Sequence, residues 1–385
     1  MDAAGNLNIG FEAKRLYTNR TGLGNYGRSL VTALARFFPE NNYHLFTPRL
    51  SNLFDTSPMA NTAVHLPEKK RHRFLPGLWR RRFMPASFAS QKLDLFHGLS
   101  NELPSGIDRS KIRTVVTVHD LIFERFPETY HFDERYMHRY KVKQACADAD
   151  LIIAVSGQTR KDLMELYGIP DGRILVCHQS CREIFSLPVS TETAQAVRER
   201  YQLPRDFLLF VGSVTERKNL ITLCRAVVRL GKNRLPIVVV GDGKKQKEEA
   251  KTFMASMVAG KDLIFLNDRF PQGVADADLP AIYHLATALV YPSVFEGFGI
   301  PLLEAMHCGT PVICSGNSSL PEVAGDAAEY FNATDAEQLA EKIEKVCGNE
   351  GLRLEMRRKG LARAELFTPE QCCRPVMDVY RRLAG

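Results

Sequence analysis

One alternation runs along most of the chain: short, unbroken apolar runs separated by stretches with helical spacing. The first half carries LNIGFEA, YHLF, LDLFHG, RTVVTVHD, ADLIIAVS and then ILVCH. The helical stretches GRSLVTALARFF, ERYMHRYKVKQACADA and SGQTRKDLMELYG separate several of these runs. The second half restarts the pattern with FLLFVGSV, PIVVVGDG, DLIFLND, TALVYPS and PVICSG. Runs that are apolar at every position, not every second one, suit strands buried on both faces of a parallel sheet. The pattern predicts an α/β chain of two doubly wound, Rossmann-like domains joined near SLPVSTETAQ, Ser186 to Gln195. Ligands of such sheets collect outside the carboxyl ends of the strands, so the residues just after each run are the ones to read for chemistry.

A length of 385 residues exceeds what one hydrophobic core usually holds, which supports two domains. With 45% hydrophobic and 25% charged residues the composition is that of a globular chain and excludes fibrous or disordered classes. No run approaches the roughly 18 apolar residues of a membrane span. The opening MDAAGNLNIG lacks the charged-then-apolar pattern of a secretory signal. Nine cysteines are scattered without C-x-x-C or zinc spacing, so reduced thiols and a cytoplasmic location are expected. The net charge of +7 is partly local. Glu68 to Pro85, EKKRHRFLPGLWRRRFMP, holds seven Lys/Arg interleaved with Phe74, Leu75, Leu78, Trp79 and Phe83. Such a mixture suits docking on an anionic membrane, with Trp79, Arg80, Arg81 and Arg82 as the candidate contacts. An ordinary solvated loop is the alternative; a nucleic-acid partner is not expected, because nothing else in the chain resembles a groove-reading motif.

Four motifs lie where chemistry is expected. TGLGNYGRSL spells G-x-G-x-x-G at Gly22, Gly24 and Gly27, yet nine residues separate Gly22 from the end of the first run at Ala13. The next strand, YHLF, has no acid at its end, so the dinucleotide reading fails. What remains is small residues leading into a helix, where backbone amides can approach an anion. The second motif, VYPSVFEGFGIPLLEAMHCGTPVICS, places Glu296 and Gly297-Phe298-Gly299 between a strand and a short helix. Pro301 suits the start of that helix and Gly309 its left-handed end. Its E-x₇-E spacing lets Glu296 and Glu304 flank one polyhydroxylated ligand, although Glu304 could equally be a surface acid. In FVGSVTERKNL, Arg217 and Lys218 could neutralise a diphosphate or remain solvated. In VVTVHDLIFERFPE, His119 could be a base, a ligand or a satisfied rim residue. The two D-A-D segments, Asp148 to Asp150 and Asp276 to Asp278, read as helix-boundary acids, so no metal site is expected.

Taken in order, TGLGNYGRSL, FHGLSNELP, VTVHDLIFERFPE, IIAVSGQTRKDL, VGSVTERKNL and FEGFGIPLLEAMHCGTPVICSGNSSLPEVAGDAAEYF resemble the retaining glycosyltransferases of family 4, especially bacterial mannosyltransferase-like members. The likeness covers nearly the whole chain. It implies the GT-B arrangement: an acceptor-side domain at 1–185 and a nucleotide-sugar-binding domain at 186–368, facing a cleft, with a helix at 369–385 returning to the first domain. It implies a hexosyl transfer, with GDP-mannose favoured as co-substrate over a UDP-hexose and no separate cofactor. The acceptor would be a glycan or polyprenyl-linked saccharide of a bacterial surface polysaccharide, with a peripheral membrane contact. Glu296 would meet hydroxyls of the transferred sugar and Glu304 the nucleotide ribose, while Gly297, Phe298 and Gly299 would hold sugar and phosphate. Arg217 and Lys218 would stabilise the leaving diphosphate, Gly22 and Gly24 would approach it, and His119 would lie by the reacting sugar. A non-catalytic scaffold of the same fold is the alternative. Two departures stand out: Ser213 where many relatives have arginine, and His178-Gln179-Ser180-Cys181 where they have an Asn-Gly pair.

Overall fold

The computed structural model describes residues 6–69, 72 and 74–385. The chain divides into two compact units, Met1–Cys181 with Phe367–Gly385, and Arg182–Leu366. The division after the first sheet thus falls at 181/182, slightly before the expected 185/186.

In the first unit, β1 (Asn8–Glu12), β2 (Asn42–Phe46), β3 (Thr62–His65), β4 (Leu95–Gly98), β5 (Arg113–Val118), β6 (Leu151–Ala154) and β7 (Ile174–Val176) form one parallel sheet in the order β3-β2-β1-β4-β5-β6-β7. In the second, β8 (Leu208–Val211), β9 (Ile237–Val240), β10 (Leu263–Phe265), β11 (Ala288–Tyr291), β12 (Val312–Ser315) and β13 (Ala328–Phe331) form another in the order β10-β9-β8-β11-β12-β13. Both sheets start in the middle, run to one edge and then resume on the other side of the first strand. Each therefore has a switch point, β1/β4 in one and β8/β11 in the other, where the flanking loops splay apart and leave a crevice.

The continuous apolar runs become the central strands. Val115, Val116 and Val118 of β5, and Leu208, Leu209 and Phe210 of β8, are all fully buried, as strands covered on both faces must be. Two strands escape the pattern, β3 (TAVH) and β13 (AEYF). Both are edge strands with a single neighbour, and their residues are mostly half-buried, so neither shows a continuous apolar run. The last helix, Pro369–Ala384, packs on the helix Gly22–Phe37 and puts Val376, Met377 and Tyr380 into the first unit's core.

Candidate functional site

The carboxyl ends of β8 and β11 bring together residues that lie far apart in the sequence. After β8 the chain makes a single tight turn, Glu216–Lys218, before Asn219 adopts a left-handed conformation and starts the helix Leu220–Arg229. The Asn219 side chain donates to the carbonyls of Pro292 at 3.1 Å and Ala333 at 2.7 Å, fastening this turn to the loops after β11 and β13. Val294 N donates back to Arg217 O at 2.8 Å. The two loops are thus stitched into one surface, and Arg217 and Lys218 both reach Glu296. Arg217 Nη1 lies 2.9 Å and Lys218 Nζ 2.7 Å from Glu296 Oε1. Lys218 also bonds the Tyr291 hydroxyl and sits 4.7 Å from the centre of that ring, while Arg217 bonds the Phe295 carbonyl. Burial alone would raise the Glu296 carboxyl, but the two cations outweigh it and hold the group below the usual carboxylate range. Glu296 is therefore an ion at neutral pH, not a proton donor.

The Gly297–Gly299 turn is held from below. Ser319 Oγ donates toward Glu296 O and Phe298 O at 3.0 and 2.7 Å, and Glu296 N donates to Ser318 Oγ at 3.0 Å. Gly299 has φ of 118°, and a Cβ there would lie 2.8 Å from Leu320, so glycine is required on two counts. The helix Ile300–His307 follows and closes with Gly309 N on Met306 O and Thr310 N on Ala305 O, a paired C-terminal motif. Glu304, inside this helix, is buried and accepts from the fully buried Tyr283 hydroxyl through Oε2 at 2.7 Å. Burial pushes its carboxyl above the usual range, against the pull of the Tyr283 bond. Glu304 is thus no surface acid. Ser213, exposed just after Gly212, brings no charge, so Arg217 and Lys218 are the cations present at this edge.

The first unit gives a more mixed outcome. The helix of TGLGNYGRSL begins at Gly22 itself, so the glycines lie in its first turns and not in a loop ahead of it. A Cβ on Gly24 would sit 2.0 Å from Asn19 O, and its amide donates to Asn19 Oδ1 at 3.3 Å. Close backbone packing requires that glycine. A Cβ on Gly22 would meet nothing within 4 Å, so its surroundings impose no such demand. His119, at the end of β5, is buried with every polar atom engaged. Nε2 donates to Leu99 O at 2.9 Å, Nδ1 faces Gln179 Nε2 at 3.4 Å, the amide donates to Asn101 Oδ1 at 2.9 Å and Thr159 Oγ1 donates to the carbonyl at 3.1 Å. Burial depresses the ring to about 4, so it is neutral at physiological pH. Gln179, from the segment that departs from the Asn-Gly pattern, is the residue that meets it.

The membrane quartet is corrected in part. Trp79 is only 5% exposed and packs with Phe46, Met84, Phe88 and Phe96 in a core cluster. Arg80 turns inward too, with Nε 2.7 Å from Glu12 Oε1 and Nη2 2.9 Å from Glu102 Oε2. The apolar body of Trp79 and the two largely buried acids account for this better than any lipid. Arg81 and Arg82 remain exposed; Lys70, Arg71 and Arg73 of the same segment lie outside the described residues. Glu12, Glu102 and Lys141, absent from the sequence candidates, form with Arg80 a charged cluster at the β1/β4 switch point. An acid ending an otherwise apolar strand, Glu12 after NIGF, is the signal that could have found it. The D-A-D acids serve local structure: Asp150 accepts from Thr114 N, Asp276 pairs with Arg182, and Asp278 binds Arg200 and Tyr201. Among the described residues no group of three or more His, Cys, Asp or Glu could hold a metal ion.

Residues 20–179 match the family described as Glycosyltransferase Family 4, and residues 191–363 the one described as Glycosyl transferases group 1. The O-antigen chain mannosyltransferase B of Escherichia coli is 30% identical over 379 residues, spanning 94% of this chain and 96% of that protein. The chain belongs to glycosyltransferase family 4. This glycosyltransferase is also 29% identical over 300 residues to the serotype-specific mannosyltransferase WbdA of Escherichia coli, covering 76% of the chain but 36% of WbdA. Among solved structures, Anabaena Alr3699/HepE in complex with UDP and glucose superposes with a TM-score of 0.74 at 15% identity, over 97% of this chain and 99% of that one. That likeness is one of fold, and the fold is GT-B.

Proposed function

We propose that this glycosyltransferase moves mannose from GDP-mannose, with retention at the anomeric carbon and without a metal ion, onto a glycan or polyprenyl-linked saccharide of a bacterial surface polysaccharide. The acceptor would be met in the cytoplasm, at the inner face of the membrane. The observation that carries the reading is the convergence of Arg217 and Lys218 on ionised Glu296 at the β8/β11 switch point. Two fixed cations there suit a leaving diphosphate, whose negative charge grows as the glycosidic bond breaks. They remove the need for a strong acid on the leaving group, in keeping with a Glu296 that is already ionised. Glu296 would instead accept hydrogen bonds from sugar hydroxyls, and Gly297, Phe298 and Gly299 would hold sugar and phosphate. Among the described residues Glu304 Oε1 has no partner, which suits it to a ribose hydroxyl. His119, neutral and held at both ring nitrogens, would lie by the reacting sugar as part of the wall of its site and exchange no proton. The choice of mannose is supported by the names of the two Escherichia coli relatives, both mannosyltransferases.

Nucleotide-induced thermal shifts test it, with GDP, UDP, ADP and dTDP compared in the presence and absence of EDTA. GDP is expected to raise Tm most, with no effect of EDTA. Glu304→Gln, which keeps an acceptor for Tyr283, is expected to weaken GDP about tenfold, the cost of one hydrogen bond to a charged group. A UDP-selective shift would overturn the donor, and no shift with any nucleotide would favour a non-catalytic scaffold.

A further inference from the structure

Glu102 accepts from two segments at once: Arg80 on Oε2 at 2.9 Å and Lys141 on Oε1 at 3.0 Å. It therefore pins the segment 76–83 to the helix Phe132–Asp148. Arg81 strengthens the junction, its guanidinium 6.0 Å from the centre of the Tyr140 ring. The faces these two segments turn to solvent are unusual. On the helix, Phe132 is 84%, Tyr136 60% and Tyr140 44% exposed, one stripe at helical spacing beside exposed Met137. On the segment, Leu78 and Phe83 are exposed beside Arg81 and Arg82. The helix buries Val142, Ala145 and Cys146 on its other side, so these aromatics have no core to serve. Its acids, Asp133 and Glu134, lie in the first turn, where they complement the helix dipole.

The position of this face matters as much as its composition. Arg80 reaches Glu12, the last residue of β1, and the helix starts after β5, so the segment and the first turns of the helix lie toward the carboxyl end of the first sheet. We propose that Leu78, Phe83, Phe132, Tyr136 and Tyr140, with Arg81 and Arg82, form one docking surface for an anionic phospholipid bilayer. It would hold that end of the sheet against the membrane that carries the acceptor. The assignment rests on the reading of a lipid-borne acceptor and names the surface that serves it. Aromatic side chains at headgroup depth flanked by arginines are the chemistry of an interfacial contact.

Co-sedimentation with vesicles of phosphatidylcholine alone, and of phosphatidylcholine with equimolar phosphatidylglycerol, tests the proposal. The wild-type chain is expected to bind the mixed vesicles and to lose them in high salt. Arg81→Gln with Arg82→Gln should lose roughly thirtyfold in partitioning, the equivalent of about 1 kcal/mol for each cation. Phe132→Ser with Tyr136→Ser and Tyr140→Ser should lose at least as much. The GDP-induced thermal shift is measured on each variant and should stay at the wild-type value. Unchanged vesicle binding in both variants overturns the surface and leaves the glycosyltransferase reading intact; loss of the nucleotide response in the wild type overturns that reading instead. Concentration-dependent self-association without vesicles, abolished by the same serine substitutions, would assign the face to a second copy and overturn the lipid proposal.

Discussion

Gly22 and Gly24 are two residues apart in one helical turn and yet have different reasons to be glycine. Gly24 is where the helix passes so close to the preceding turn that a methyl group would meet Asn19 O at 2.0 Å, an atom that cannot rotate away. Gly24→Ala should cost about 1–3 kcal/mol through forced backbone movement. Gly22 sits at the open start of the helix, where alanine should change stability by less than ~1 kcal/mol and in the favourable direction. The family resemblance implies that its amide approaches the donor's phosphates, in which case Gly22→Ala should raise KM for the nucleotide-sugar about tenfold without lowering Tm. Thermal denaturation and donor kinetics on the two variants check this, and an alanine at 22 with wild-type kinetics would remove that glycine from the site. The motif's spelling shows neither distinction, since the contact that demands Gly24 comes from a turn whose path the sequence leaves open. Arg217, Lys218 and Glu296 are legible as candidates because each follows an apolar run. Their meeting at one carboxylate oxygen is not, because pairing across 78 or 79 positions leaves no periodic trace.

At the level of elements, one buried polar chain couples four of them. His97 on β4 bonds Tyr380 of the last helix through Nδ1 at 2.5 Å and Thr117 on β5 through Nε2 at 2.8 Å, and Thr117 meets Tyr26 of the first long helix at 3.0 Å. Tyr380→Phe would leave a buried ring nitrogen without its partner and should cost about 1–3 kcal/mol. The same region sets an acid limit. Burial depresses His97 to about 3 and His119 to about 4, both below the ordinary value of 6.5. The unfolded chain therefore binds more protons than the folded one as pH falls below about 6.5, and stability is lost progressively down through those folded values. For His119 the loss at pH 5 is about 2 kcal/mol relative to pH 7.5. Chemical denaturation at the two pH values measures it, and His119→Asn should flatten the dependence. A slope unchanged in that variant would mean other groups carry the acid sensitivity. This network shows why elements are easier to read than their connections. FHG and RTVVTVHD announce β4 and β5 by their apolar runs, but which histidine is sealed, and by a tyrosine near the chain's end, is a property of tertiary packing. The edge strands β3 and β13 escape a reading of apolar runs because their mostly half-buried positions hold polar residues such as Thr62, His65 and Glu329, whereas β7 and β10, edges too, carry such runs.

On the scale of the whole molecule the two units have unequal claims to independence. The Arg182–Leu366 unit has a core cluster of its own, running from Leu208 to Met356, and a six-stranded sheet built from its own strands. The first unit is discontinuous: its core takes Cys373, Val376, Met377, Val379 and Tyr380 from the helix at the far end of the chain. Burying those five side chains contributes on the order of 10 kcal/mol, comparable with the ~5–15 kcal/mol net stability of a whole domain. Ending the chain at 366 should therefore unfold the first unit and leave the second standing. A fragment of residues 182–366 should unfold in a single cooperative transition, because it is of ordinary domain size and carries its own sheet and core cluster. It also keeps Arg217, Lys218, Glu296 and Glu304 together, so it should retain a thermal response to nucleoside diphosphate. Circular dichroism during a thermal ramp, with and without GDP, reads both properties on the two truncated chains. A fragment 182–366 that melts without cooperativity would show that the second unit depends on the first. A cooperative fragment that ignores every nucleotide would move donor recognition away from the β8/β11 switch point, and the roles proposed for its cations would fall with it.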